Sequence, residues 1–211
     1  MAKRTGQQRR ERAAQMRAQR EREERRRRII GWTAGGAAAV VLAGGLGYVG
    51  WMAYDSTQIN GLREYGDLTN EHVAEEVDYK QSPPVGGDHH EAWQNCGVYD
   101  EPLKDIHAVH SLEHGAVWIT YDPDLPADQV KTLAGKYTQG GYVLVSPYEG
   151  DMPKPIVASA WGKQVALDDA GDDNLEKFLK SYEQSTDVPE PGAACSGAVD
   201  QTAAELEKAG S

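Results

Sequence analysis

The longest apolar stretch of the chain runs from Ile29 to Tyr54 and is dominated by Gly, Ala, Val and Leu, with no charged residue between Arg28 and Asp55. A run of this length predicts a transmembrane helix. Trp32 and Trp51 bracket it, and helical geometry separates them by roughly 28 Å, against a hydrocarbon core of about 30 Å. Aromatic rings at both edges fit an interfacial belt. Gly35, Ala39, Ala43 and Gly47 recur every fourth residue, a stripe of small side chains that would let a second copy of the helix pack closely. A homodimer through this helix is one expectation, and a chance pattern in a Gly/Ala-rich span is the other.

Beyond Asp55 the patterns shorten. Ser56 to Asp105 is punctuated by Gly61, Gly66, Ser82-Pro83-Pro84, Gly86-Gly87 and Gly97, which predicts loops with short elements. Ala116 to Tyr121 (AVWITY) mixes β-branched and aromatic residues and stops at Asp122-Pro123, the pattern of a strand. Val130, Leu133 and Tyr137 recur at helical spacing between Pro126 and Gly140-Gly141, with Asp124 as the expected cap. Tyr142 to Val145 reads as a second strand, and Ile156 to Leu167, broken at Gly162, as a hairpin or a bent strand. Leu175, Phe178, Leu179 and Tyr182 form the stripe of a final helix capped by Asp172 or Asp173.

This order predicts an α+β fold: a single transmembrane helix followed by one small exported domain with a mixed or antiparallel sheet and two main helices. The expected boundaries are a basic arm at 1–28, the span at 29–54, the domain at 55–186, and a flexible acidic tail at 187–211 with a short helix near Ala203 to Ala209.

Charge orients the chain. Residues 1–28 hold twelve Lys or Arg against four Glu, and the remainder holds ten against twenty-nine acids, so the two parts carry +8 and −19. Under the positive-inside rule the amino terminus stays in the cytoplasm, and the domain lies outside the plasma membrane. A cleaved signal peptide would have a shorter apolar core and a small-residue cleavage site. The arm suits anionic membrane lipid rather than nucleic acid, and no nucleic-acid partner is expected.

The chemistry-bearing residues are concentrated. All six histidines, His72, His89, His90, His107, His110 and His114, fall within one stretch. Residues His110 to His114 read HSLEH, matching the H-x-x-E-H signature of zinc peptidases, in which two histidines bind the ion and the glutamate is the general base. In a helix His110 and His114 would be about 6 Å apart and Glu113 could polarise a water. In a strand they would be about 13 Å apart and could not share an ion. Asp105 as a cap and Gly115 as a terminator would frame the helix. His89 or His90, in the Gly-rich loop, would supply a third ligand to zinc or copper. The competing reading is a set of histidines hydrogen-bonded within a polar core.

Cys96 and Cys195 are the chain's two cysteines. On the exported side a disulfide is expected between them, which would remove Cys96 as a metal ligand. The absence of CxxC argues against thiol redox catalysis. The acidic pairs Asp168-Asp169 and Asp172-Asp173 lack EF-hand spacing and suit helix capping better than calcium.

SPPVGGDHHEAWQNCGVYDEP (Ser82 to Pro102), AVHSLEHGAVWITYDPDLP (Ala108 to Pro126) and PIVASAWG (Pro155 to Gly162) resemble an uncharacterised bacterial, mostly actinobacterial, family catalogued as domain of unknown function 3105. LEHGAV (Leu112 to Val117) is the most specific segment. The resemblance implies a membrane-tethered exported domain and assigns no activity. Three functions remain in contention: a metal-binding domain using His110, His114 and His89 or His90; a zinc hydrolase with Glu113 as base; and a non-catalytic surface interaction module.

Overall fold

A computed structural model of the chain describes residues 16–28, 45, 47–50 and 58–210. The chain divides into two units, Met1–Thr57 and Gln58–Ser211. In the first, residues 16–28 are helical and exposed. Among the described residues no helix is long and apolar enough to cross a membrane. The span expected at 29–54 lies outside them, apart from residue 45 and residues 47–50, which are helical.

The second unit is α+β. Its six-stranded mixed sheet runs in the order β1 (Arg63–Glu64), β6 (Lys163–Leu167), β5 (Ile156–Ala160), β3 (Val117–Tyr121), β4 (Val143–Pro147), β2 (Gly97–Val98). β3 pairs parallel with β4, and β4 with β2, while β3–β5, β5–β6 and β6–β1 are antiparallel. The helices of this unit are α1 (Asp105–Glu113), α2 (Ala127–Ala134), α3 (Asp173–Tyr182) and α4 (Ala203–Gly210).

β3 shows how the sequence divides the molecule. Successive side chains of a strand point to opposite faces, and all five residues of β3 are buried. Val117, Ile119 and Tyr121 join an apolar layer with Val143, Val145, Ile156 and Leu133, Leu175 and Phe178 from α2 and α3. Trp118 points the other way, into a smaller cluster with Ala108, Leu112, Leu144 and Cys195. The sheet therefore separates an aliphatic face from a face covered by α1 and the loops.

The hairpin alternative holds for Ile156 to Leu167, whose halves are β5 and β6 paired in antiparallel register. Asp172 caps α3, accepting from the backbone N–H of Asn174 at 2.8 Å. Two other caps differ from expectation. Pro126 holds the N-cap position of α2, because the turn ahead of it is organised by Asp122, whose carboxylate accepts from the N–H of Asp124. Lys104 holds that position in α1, and Asp105 is the first helical residue.

α1 is a third substantial helix beside the two expected main ones. The segment expected to be a flexible tail is tied to the domain. Cys195 is bonded to Cys96 across a sequence separation of 99 residues, with Cα atoms 5.3 Å apart. Cys96 N–H donates to Cys195 O at 2.7 Å, and Val199 pairs with Gln94 in a parallel bridge.

Candidate metal centre

DIHAVHSLE forms the helical alternative, so His110, Glu113 and His114 lie on adjoining positions of one turn. Ala108 and Leu112, one turn apart, pack toward the sheet against Trp118 and Leu144. Every residue from Ile106 to Glu113 is nevertheless buried, because irregular segments cover the polar side. Gly115 ends the helix with φ +95, and a Cβ there would lie 3.2 Å from the Ser185 carbonyl.

Four histidines share one orientation device. Nδ1 of His89 lies 2.7 Å from the Gly87 carbonyl, that of His107 2.6 Å from Ala92, that of His110 2.6 Å from His90, and that of His114 2.7 Å from Ala194. A carbonyl only accepts, so each Nδ1 holds a proton, and a neutral ring then presents its lone pair at Nε2. This is how metal-binding imidazoles are held by their surroundings. Burial drives the His110 pKa down to about 4, partly opposed by the His90 carbonyl and reinforced by His114, His89 and His72. His110 is therefore a neutral donor near pH 7.

The loops bring the other donors to α1. His72 and His89 form a parallel backbone bridge, with Val73 N–H donating to His89 O at 2.8 Å and His89 N–H to Glu71 O at 3.0 Å. The turn leading to His89 depends on glycine: Gly86 has φ +141, and a Cβ there would lie 2.8 Å from Leu68 and 3.2 Å from Trp161. Ring centroids are 5.0 Å apart for His72 and His89, 4.9 Å for His72 and His110, and 4.7 Å for His89 and His110.

Glu113 completes the group. Its Oε2 is 2.8 Å from His89 Nε2 and 3.9 Å from His72 Nε2, and its Oε1 accepts from Asn70 Nδ2 at 3.1 Å. His72, His89, His110 and Glu113 each offer a donor atom, all within 4.8 Å of one another. His89 Nε2 and Glu113 Oε2 are buried without a hydrogen-bond partner. With Nδ1 carrying the proton, a neutral His89 would face the carboxylate lone pair to lone pair. A cation between them removes that conflict.

The spacing suits a small divalent ion. Tetrahedral zinc with bonds of about 2.0–2.2 Å separates its ligands by roughly 3.3–3.5 Å, and the contacts of 2.8 and 3.9 Å bracket that distance. A proton on His89 would bridge one contact only, whereas all four donors could hold one ion.

The structure thus brings together three of the residues singled out in the sequence, His89, His110 and Glu113, and adds His72. His114 lies beside them in a second group with His110 and Glu190. His90 turns away: its Nδ1 accepts from Ala92 N–H at 3.0 Å and its ring packs on His107 at 4.6 Å. What it gives the site is its backbone carbonyl, on His110. Confinement of the histidines to one stretch was the sequence signal for His72. Glu190 carried none, being one acid of a Pro-rich segment.

A model of the family described as "Protein of unknown function (DUF3105)" matches residues 72–197. The matched region runs from His72 past Glu190 and Cys195, so it contains every donor named above and the disulfide. No curated protein and no solved structure matches the chain. With more than half of its length matched, the chain belongs to the DUF3105 family of proteins of unknown function.

Proposed function

We propose that this protein is a membrane-anchored, extracytoplasmic domain that holds one transition-metal ion, zinc or copper, among His72, His89, His110 and Glu113. The observation that carries the reading is the convergence of these four donors within 4.8 Å around two buried atoms without hydrogen-bond partners. Three imidazoles and a carboxylate suit either ion. The Cys96–Cys195 disulfide supports an oxidising, exported location. The uncharged 29–54 run between a basic arm and an acidic domain supports the anchor and its orientation.

A zinc hydrolase has the helix that its motif requires, but Glu113 sits against His89 and Asn70 within the donor set. The geometry therefore favours a ligand role over a free general base. Elemental analysis of the full-length protein purified from membranes should find one zinc or copper per chain. The His89→Ala, His110→Ala double variant should lose it, and retention of the metal by that variant would falsify the reading. Glu113→Gln separates the two roles: a ligand role predicts weaker metal binding, a general-base role a full metal complement.

A further inference from the structure

A second group of donors lies at the carboxy-terminal end of α1. His114 Nε2 is 3.4 Å from Glu190 Oε2, and His110, His114 and Glu190 place donor atoms within 4.8 Å of one another. The His110 and His114 rings are 4.5 Å apart. The His114 side chain is 2% exposed and that of Glu190 49%, and His72 of the first group is 46% exposed, so each group leads from solvent to the interior, but only this one meets solvent with a carboxylate.

Its position is built by the segment after α3. Glu190 N–H donates to Glu113 O at 3.2 Å, and the Ala194 carbonyl holds His114 Nδ1 at 2.7 Å. The next residue, Cys195, is bonded to Cys96. Backbone contacts on both sides of the segment thus keep the Glu190 carboxylate over His114.

His110 belongs to both groups. Its Nδ1 is committed to the His90 carbonyl, so only Nε2 can bind metal, and a neutral imidazole nitrogen has one lone pair for one ion. The two groups are therefore alternative seats for a single ion, not the halves of a two-ion centre.

We propose that one metal ion moves between a three-donor seat of His110, His114 and Glu190 and the four-donor seat of His72, His89, His110 and Glu113. This rests on the metal-binding reading above and assigns a loading route to the same site. In the transfer, the bonds to Glu190 and His114 break as those to His89, His72 and Glu113 form, the bond to His110 persists, and the oxidation state does not change. With fewer protein ligands the three-donor seat holds the ion less tightly, so the ion rests in the four-donor seat. The exposed Glu190 carboxylate provides the first attraction for an incoming cation.

The test uses full-length protein stripped of metal, zinc ion as the probe, and a chromophoric chelator as competitor. Wild type and Glu190→Gln should each bind one zinc per chain with affinities within about threefold, while loading and release in the variant slow by about tenfold or more. In a His89→Ala background, weaker residual zinc binding should persist and disappear on adding Glu190→Gln. Two zincs per chain would overturn the alternative-seat scheme. So would unchanged rates in Glu190→Gln, which would place entry past His72, and so would an affinity loss of tenfold or more, which would make Glu190 a resting ligand. Wild type that binds neither zinc nor, in the same assay, copper overturns the metal-binding reading itself, and the seats with it.

Discussion

The two faces of the sheet are organised by different forces. On one, Leu133, Leu175 and Phe178 from α2 and α3 lie on Val117, Ile119, Val143 and Ile156, and burial of aliphatic surface is sufficient to hold them. On the other, α1 presents histidines and a glutamate, and the covering segments are fixed by carbonyl contacts, a backbone bridge and a disulfide. The first face is a matter of local pattern, while the second depends on partners far apart in sequence.

The largest effect should follow from opening the disulfide. It closes a loop of 99 residues, and chain entropy for such a loop gives about 4–5 kcal/mol. Replacing Cys96 and Cys195 by serine should lower unfolding stability by about that amount, measured by denaturant titration. It should also slow zinc loading and release under conditions where the domain remains folded, because the segment carrying Ala194 and Glu190 loses its tether. Unaltered rates in the folded variant would show that the covering segment holds itself in place.

Phe178→Ala tests the opposite face. Phe178 is fully buried and packs on Tyr182 with ring centroids 4.7 Å apart. Its truncation should cost about 3–5 kcal/mol, yet leave the zinc affinity of the folded fraction unchanged. A shift in that affinity would mean that the sheet transmits strain between its faces.

The same contrast explains what could be read from the sequence. The stripe of Leu175, Phe178 and Leu179 and the AVWITY strand each follow from periodicity over a few residues, and they form as expected, while Ile156 to Leu167 allowed a hairpin or a bent strand and forms the hairpin. The HSLEH segment allowed helix or strand, and its neighbours settled the matter: Ala108 and Leu112 needed a common face against Trp118. His72 joins His89 through a bridge in a region without period, so only the crowding of histidines pointed to it. His90 and His89 were indistinguishable in sequence, and the backbone turn at Gly86-Gly87 decides which ring enters. Glu190 reaches His114 because Cys195 is tied down, a relation no local pattern contains.

A smaller perturbation acts on one orienting contact. Asn70 donates to Glu113 at 3.1 Å and leaves the other carboxylate oxygen toward His89. A hydrogen bond to a charged group contributes about 1.5–3 kcal/mol when it is removed. Asn70→Ala should lower stability toward the small end of that range, since His72 and His89 remain beside the carboxylate, and should weaken zinc binding by about tenfold. Calorimetry on the two proteins would measure both changes, and an effect on stability alone would confine Asn70 to packing.

The smallest effect concerns the entrance to α1, where the polar face contains a carboxylate that the aliphatic face has no counterpart for. Burial raises the Asp105 pKa from 3.8 to about 6, with Glu76 adding to the rise while the Tyr148 hydroxyl and Lys104 oppose it. Tyr148 donates to Asp105 Oδ2 at 3.2 Å. Because the folded state holds this proton more tightly than the unfolded chain, stability is highest below about pH 4, falls as pH rises toward 6, and is level above that. The expected loss from this one group is about 1–2 kcal/mol, allowing for partial solvent access. Asp105→Asn cannot ionise, so its stability relative to wild type should grow by that amount between pH 4 and 7, with the change complete by the upper limit. Parallel pH profiles of the two proteins would fail the argument if the Asp105 carboxylate turned out to stabilise α1 through the helix dipole more than burial penalises it.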